Sequence, residues 1–126
     1  MINQAMIFAA GLGKRMLPLT HSIPKPLVKV NDYSLLENSI EKLLKLNFDK
    51  IVVNSFHLSN QIIDTTRRFG SRVEVVVEEN LLETGGGLLN CLIKRKLNKK
   101  FPVILINGDV YWEDINYSSI GKLLEK

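Results

Sequence analysis

The sequence has little of what marks secreted or membrane-bound proteins. Its 126 residues include one cysteine, Cys91, so no disulfide can form within the chain. The first apolar run, Met6 to Ala10, is too short to cross a membrane, and no basic segment of the signal-peptide type precedes it. Internal repeats and low-complexity tracts are also missing. These absences lead us to expect a protein of the reducing cytoplasm that has no membrane partner.

The composition predicts an ordinary globular domain. Hydrophobic residues make up 45% and charged residues 24%, which suits a single domain over residues 1–126. The net charge of +4 is compatible with nucleic acid, with an anionic small molecule or with simple solubility. The basic run from Lys94 to Lys96 lies at the end of a predicted helix, where cations complement the helix dipole. We therefore expect no nucleic-acid partner.

Apolar segments of strand type alternate with segments of helical periodicity. Strands are predicted at Met6–Ala10, Lys50–Asn54, Val73–Val77 and Phe101–Ile106. Helices are predicted from a Ser34 capping box to near Asn47, from a Ser59 cap to Gly70, from Thr84 through Leu88, Leu89, Leu92 and Ile93, and around Ile120, Leu123 and Leu124. This alternation predicts an α/β fold with a mainly parallel sheet.

Ligands of such sheets bind beyond the carboxyl ends of the strands. Three unusual segments are predicted there: the loop after the first strand, the glycines after the third, and Asp109 after the fourth. The first loop extends from Gly11 to about Tyr33, and prolines at 18, 24 and 26 exclude a regular helix from it. Connections of this length inside compact domains are often functional.

The start of the first loop has features of a phosphate site. The candidate residues are Ala9, Ala10, Gly11, Leu12, Gly13, Lys14 and Arg15. Glycines allow close approach of a ligand to backbone amides, and arginine suits bidentate contact with phosphate. The spacing matches neither a P-loop nor the dinucleotide fingerprint. An ordinary turn with surface charges is the alternative.

Two further segments favour a nucleotide, and each has a simpler alternative. Lys25 stands between two prolines, which would hold it as a point charge near phosphate, although a solvated loop lysine has the same pattern. Three glycines follow Thr84 at a helix start, where each costs about 1 kcal/mol against alanine. Close approach of a flat base to Gly85 and Gly86 would offset that cost, and so would tight packing of the helix on the sheet.

Asp109 follows an apolar strand directly after Gly108. A carboxylate at such a strand end is a natural ligand for Mg²⁺. The alternative is a turn aspartate that bonds its own backbone.

Together these segments resemble the sugar-1-phosphate nucleotidyltransferase family. The resemblance lies in Gly11-Leu12-Gly13-Lys14-Arg15-Met16-Leu17-Pro18-Leu19-Thr20, then Pro24-Lys25-Pro26-Leu27, and then Asn107-Gly108-Asp109. The stretch Leu82-Glu83-Thr84-Gly85-Gly86-Gly87 looks most like the N-acetylmuramate-1-phosphate uridylyltransferases, and the mannose-1-phosphate guanylyltransferases share much of the pattern. The family fold that this implies is a Rossmann-like α/β/α sandwich.

The resemblance also implies roles for single residues. The amides from Ala10 to Gly13 would cradle the nucleotide, Arg15 would hold its β and γ phosphates, and Lys25 would contact phosphates at the reacting centre. Gly85, with Glu78 or Glu79, would read the base, and Asp109 would hold Mg²⁺. The remaining nucleotide-binding candidates are Ala9, Thr84 and Gly86.

Family members are longer than this chain, and their second half carries much of the sugar pocket and a second metal-binding aspartate. We therefore expect the nucleotide-binding half of an enzyme that makes an NDP-sugar and pyrophosphate from an NTP and a sugar 1-phosphate, with UTP favoured over GTP. The missing half could come from a second chain or a homo-oligomer. An inactive nucleotide-binding remnant is the alternative.

Overall fold

A computed structural model describes residues 3–11, 22–30, 32–80, 82, 84–94 and 96–108. The strands within these residues are β1 (Gln4–Phe8), β2 (Lys29–Val30), β3 (Tyr33–Ser34), β4 (Lys50–Ser55), β5 (Val73–Val77) and β6 (Val103–Asn107). The α-helices there are α1 (Leu35–Lys45), α2 (Ser59–Thr66) and α3 (Thr84–Ile93). Short 3₁₀ segments cover Lys25–Leu27 and Arg67–Arg72. The helix predicted around Ile120 lies outside the described residues.

Four strands form one parallel sheet in the order β5-β4-β1-β6, which confirms the predicted α/β class. Gln4 of β1 lies opposite Lys50 of β4 on one side and Val103 of β6 on the other. The chain moves outward from β1 through β4 to β5 and then crosses back to β6 beyond β1. The strand order thus reverses between β1 and β6, the position where open α/β sheets bind ligands.

Helices cover both faces of this sheet. On one face, α1 and α2 bury Leu36, Ile40, Leu43 and Ile62 against Ala5, Ile7, Ile51 and Val53. On the other face, α3 buries Cys91 against Met6, Val52 and Val76. This arrangement confirms the predicted three-layer sandwich. Burial also raises the pKa of the Cys91 thiol to about 11, as expected of a core cysteine.

Helix α1 follows its sequence signals at both ends. The Ser34 hydroxyl accepts from the Glu37 amide and the Glu37 carboxylate accepts from the Ser34 amide, which completes the predicted capping box. At the other end Asn47 is left-handed (φ 64°), and Phe48 donates back to the Leu43 carbonyl. Asn47 also donates to Leu44, so the helix ends in a Schellman motif.

The prediction that Ser59 caps α2 is wrong. The N-cap is Leu58, which adopts left-handed angles (φ 54°, ψ 45°), so the helix begins at Ser59 itself. The Ser59 hydroxyl donates to the Phe56 carbonyl instead. The helix also ends at Thr66, and a 3₁₀ segment carries the chain through Gly70 (φ 76°) to β5.

On the α3 side, Leu89 and Ile93 are 57% and 70% exposed, because Gly87 and Cys91 form the buried row of the helix and the positions of Leu89 and Ile93 face away from it. One more prediction needs correction. The fourth strand starts at Val103 rather than Phe101, whose amide closes a turn on the Asn98 carbonyl. No helix in the described part of the chain is long and apolar enough to span a membrane.

Candidate functional site

The carboxyl ends of β1 and β6 meet in close contact. Ala9 and Ala10 are buried directly after β1, whereas Gly11 is exposed. The Gly108 amide donates to the Phe8 carbonyl over 2.9 Å, and a Cβ on Gly108 would lie only 2.7 Å from that oxygen. Only glycine therefore fits beside β1 at this point. Asp109 follows Gly108 in the chain but lies outside the described residues.

A buried hydrogen-bond chain fixes the end of β1. Asn54, the fifth residue of β4, accepts from the Ala9 amide through Oδ1 over 2.7 Å. Its Nδ2 donates to Oε1 of Glu78, also over 2.7 Å, and Oε2 of Glu78 accepts from the Leu82 amide over 3.3 Å. We call this connection from Ala9 through Asn54 and Glu78 to Leu82 the Asn54 chain. It links the segment after β1 to the segment after β5.

Glu78 is a buried acid directly after the carboxyl end of β5. Glu78 is 3% exposed, and its backbone amide donates to the Ser55 carbonyl of β4 over 2.7 Å. Burial raises the pKa of the Glu78 carboxyl, although the hydrogen bonds from Leu82 and Asn54 and the charge of Lys94 act in the opposite direction. Its neighbour Glu79 is exposed. Within this pair, Glu78 is the side chain that the strands position.

The three glycines at the start of α3 have different surroundings. A Cβ on Gly85 would meet no atom of the described residues within 4 Å, and one on Gly86 would touch only Leu82. A Cβ on Gly87 would lie 2.9 Å from Nδ2 of Asn54 and 3.5 Å from Oε1 of Glu78. Gly87 therefore lets α3 pack on the Asn54 chain, whereas Gly85 and Gly86 leave open backbone in the first turn.

The segment that holds Lys25 is attached to the same edge of the sheet. Pro24 and Pro26 are buried, and the amide of Leu27 closes the 3₁₀ turn on the Pro24 carbonyl. Gln61, in the first turn of α2, donates to the Ser22 carbonyl over 2.7 Å. Because α2 begins just after β4 ends, this bond places the proline segment beside the carboxyl ends of the strands.

The fold thus collects the described candidates, which are Ala9, Ala10, Gly11, Lys25, Glu78, Glu79, Thr84, Gly85 and Gly86, on segments at one edge of the sheet. The candidates Leu12, Gly13, Lys14, Arg15 and Asp109 lie outside the described residues. Among these candidates, the Ala9 amide already donates to Asn54.

Sequence reasoning missed Asn54 and the separate role of Gly87. A signal for Asn54 was present, because it is a polar residue at the end of the otherwise apolar run Ile51 to Val53. Its partners come from other strands and could not be read from local spacing. For Gly87, helix-to-sheet packing was one of the two interpretations of the glycine run, and the structure assigns it to this glycine.

No cluster of three or more histidine, cysteine or acidic side chains that could hold a metal ion occurs among residues 3–11, 22–30, 32–80, 82, 84–94 and 96–108. Glu78, the buried acid nearest to the end of β1 in this part of the chain, is already bonded to Asn54 and Leu82. The next acid along the sequence after β6 is Asp109, directly after Gly108.

Residues 4–126 match the profile of the nucleotidyl transferase family. A curated relative, the N-acetylmuramate alpha-1-phosphate uridylyltransferase of Neisseria meningitidis serogroup B, is 36% identical over 120 residues, which are 92% of this chain and 50% of the relative. The UTP–glucose-1-phosphate uridylyltransferase of Synechocystis is 39% identical over 83 residues, which are 64% of this chain and 21% of the relative.

A solved structure supports the same assignment. The CTP:phosphocholine cytidylyltransferase of Streptococcus pneumoniae superposes with a TM-score of 0.72 at 32% identity, over 86% of this chain and 45% of that one. This chain therefore spans at most about half the length of these relatives. The fold and the match over residues 4–126 lead to one conclusion: the chain belongs to the nucleotidyl transferase family.

Proposed function

We propose that this chain forms the nucleotide-binding half of a cytoplasmic, Mg²⁺-dependent enzyme that joins UTP to a sugar 1-phosphate and releases pyrophosphate. The observation that carries the proposal is that β1 ends beside Gly108 and is hydrogen-bonded through Asn54 and Glu78 to Leu82, just before the glycine-rich start of α3. This position is the switch point of the sheet. It brings a segment suited to phosphates and a segment suited to a base into one rigid frame.

The backbone after β1 is suited to the triphosphate. Ala10 is buried and Gly11 exposed, so the chain reaches the surface at Gly11, and we propose that the amides from Ala10 onward face the ligand. In the proposal these amides, with Leu12, Gly13 and Lys14, hold the phosphates, and Arg15 neutralises the β and γ groups. Lys25, fixed between two buried prolines, adds a charge at the reacting centre.

The first turn of α3 is suited to the base. Gly85 and Gly86 expose backbone that a planar ring could approach, and Glu78 lies buried at the end of the neighbouring strand. Uracil is favoured because the two relatives described above are uridylyltransferases. Guanine is the alternative, since the catalytic subunit beta of a mannose-1-phosphate guanylyltransferase from Xenopus tropicalis is 30% identical over 112 residues.

The reaction needs positioning and charge neutralisation more than covalent chemistry. An oxygen of the sugar phosphate would attack the α-phosphorus in line and form a new P–O bond. The bond from the α-phosphorus to the bridging β oxygen would break, and its electrons would leave with pyrophosphate. Arg15 and Lys25 would neutralise the charge that develops on the phosphates.

Asp109 would hold Mg²⁺ beside these phosphates. The donor set fits, because a carboxylate and phosphate oxygens are the hard ligands that magnesium prefers. Its place directly after Gly108, which contacts the end of β1, agrees with that role. When bound, the ion would neutralise phosphate charge. The sugar pocket and any further carboxylate would come from a second chain, from another copy of this one, or from residues of a longer protein.

Calorimetric titration of the purified chain with UTP, and then GTP, in Mg²⁺ tests this proposal. We expect saturable binding of UTP with an affinity reduced at least about tenfold in Arg15→Ala, because a bidentate phosphate contact is lost. Arg67→Ala is the matched control, since Arg67 is a largely exposed arginine paired with Asp64 on the surface.

Tighter binding of GTP than UTP would replace the uridylyl assignment with the guanylyl one. No heat with either nucleotide from a chain that is folded by circular dichroism would contradict the proposal and favour an inactive remnant. Pyrophosphate release on addition of a sugar 1-phosphate, lost in Asp109→Ala, would establish turnover by this half alone.

A further inference from the structure

We propose that Asn54 is a positioning residue that holds the phosphate-binding segment after β1 and the base-binding segment before α3 in one fixed geometry. This inference rests on the proposed function of the same edge. It adds a residue that contacts neither the phosphates nor the base and that acts through Ala9 and Glu78.

The contacts of Asn54 require an amide side chain. The Ala9 amide is only a donor, so the atom 2.7 Å from it must be the amide oxygen of Asn54. Nδ2 then necessarily faces Glu78, where it donates to Oε1 over 2.7 Å. Asparagine supplies one acceptor and one donor in these two directions. Aspartate would supply only acceptors, and leucine would supply neither.

The two partners of Asn54 each belong to a different binding segment. Ala9 belongs to the segment proposed to hold the phosphates and directly precedes Ala10 and Gly11 in it. Glu78 accepts from the Leu82 amide and so shapes the turn that leads into Gly85 and Gly86. A displacement of Asn54 would therefore move both segments relative to each other.

The surroundings leave Asn54 little freedom to move. The residue is 2% exposed, and the Cα of Gly87 packs so closely that a Cβ there would lie 2.9 Å from Nδ2. Buried hydrogen bonds of this kind are strong, and an unmatched partner is costly. The sheet and the two segments thus share one continuous set of hydrogen bonds, and α3 packs against it at Gly87.

An exchange of chemical groups tests the proposal. Asn54→Asp places a second carboxylate against Glu78, and like charges at this distance repel. The double variant Asn54→Asp with Glu78→Gln restores the complement, because the introduced carboxylate can accept from both the Ala9 amide and the introduced side-chain amide. That side-chain amide keeps its oxygen for the Leu82 N–H, so the same bonds form with the donor and acceptor exchanged.

We expect UTP affinity in Mg²⁺ to fall about tenfold or more in Asn54→Asp, measured by calorimetry on folded protein. In the Glu78→Gln background the same substitution should lower the UTP affinity at most about threefold, or raise it. This background also removes any direct effect of Glu78 on the base. Asn54→Ala, which introduces no repulsion, serves if Asn54→Asp does not fold, and its affinity should also fall about tenfold.

Asn60→Asp is the matched control. Asn60 is exposed in the first turn of α2, so the variant adds the same charge near the same edge without touching the Asn54 chain. Its UTP affinity should stay within about twofold of the unmodified chain.

The outcomes separate the two proposals. If the unmodified chain binds no nucleotide, the proposed function fails and this role fails with it. If the unmodified chain binds UTP and folded Asn54→Asp and Asn54→Ala bind it equally well, only the positioning role is overturned. Equal losses of UTP affinity from Asn54→Asp in the unmodified chain and in Glu78→Gln would also overturn it, because the effect would then not depend on Glu78.

Discussion

Gln4 and Asn54 are both buried amide side chains in the neighbouring parallel strands β1 and β4. Gln4 lies at the amino end of its strand, whereas Asn54 lies near the carboxyl end. Gln4 donates to the carbonyls of Asn98 and Phe101 and accepts from the Asn98 amide, so all these bonds go to the connection before β6. Asn54 joins Ala9 to Glu78, two residues that lead out of the sheet toward proposed ligand contacts. The same side-chain chemistry thus stabilises a connection of the fold at one end of the strands and joins two segments of the candidate site at the other.

The two faces of the sheet also differ from each other. The face of α1 and α2 is closed by large apolar side chains and by a capped, well-terminated helix. On the other face, helix α3 has three glycines in its first turn, and its Leu89 and Ile93 side chains are exposed. The first face supplies most of the described core, whereas the second carries residues whose stability cost needs a packing or binding reason.

The largest effect expected from this comparison is on stability at Gln4. Gln4→Leu would leave three backbone groups without their partner, at a cost of about 3 kcal/mol in the free energy of unfolding. Urea denaturation measures that loss. The affinity for UTP of the folded variant should stay within about twofold, because the opposite edge is unchanged.

A weaker affinity for UTP in Gln4→Leu than in Asn54→Asp would break the distinction between the edges. The matched comparison is therefore the ratio of lost affinity to lost stability in these two variants. We expect a high ratio for Asn54 and a ratio near zero for Gln4.

A smaller effect is expected where the glycines of α3 are compared with one another. Gly87→Ala should lower the free energy of unfolding by about 1–3 kcal/mol, because its Cβ would collide with Nδ2 of Asn54. Gly85→Ala should be neutral or stabilising by up to about 1 kcal/mol, since alanine favours the helix and meets open space. Thermal or urea unfolding of the pair measures the difference.

Binding separates the pair further. Gly85→Ala should weaken UTP binding despite its unchanged or higher stability, because the methyl group would occupy backbone surface proposed to face the base. Equal stability of the two variants would show that Gly87 is not needed for the close approach of α3 to the Asn54 chain.

Much of the scaffold was predictable because its signals are local. Ser34 and Glu37 stand at capping-box spacing, and the β-branched run from Ile51 to Val53 marks a strand without any knowledge of its neighbours. Their alternation then predicts a parallel sheet and the edge where ligands bind. The prediction at Ser59 failed because Leu58 takes a left-handed conformation that its residue type does not signal.

The site was predictable only as a set of segments. Which residues meet within it depends on contacts across strands, and a sequence read along the chain does not give these. Asn54 and Glu78 are separated by 24 positions, and Ala9 and Asn54 by 45. Likewise, the glycine run predicted either packing or binding, whereas the fold assigns packing to Gly87 and leaves Gly85 open.

Backbone amide chemical shifts during titration of the chain with UTP in Mg²⁺ test the central claim most directly. We predict saturable shifts at Ala10, Gly11, Gly85, Gly86 and Gly108, all near the carboxyl ends of the strands, with Gln4, Lys50 and Val103 at the other edge unchanged. The assignment of the nucleotide site to the carboxyl ends of the strands would be contradicted by either of two results. One is shifts confined to the amino ends of the strands or to the basic segment from Lys94 to Lys100, and the other is no shifts at all.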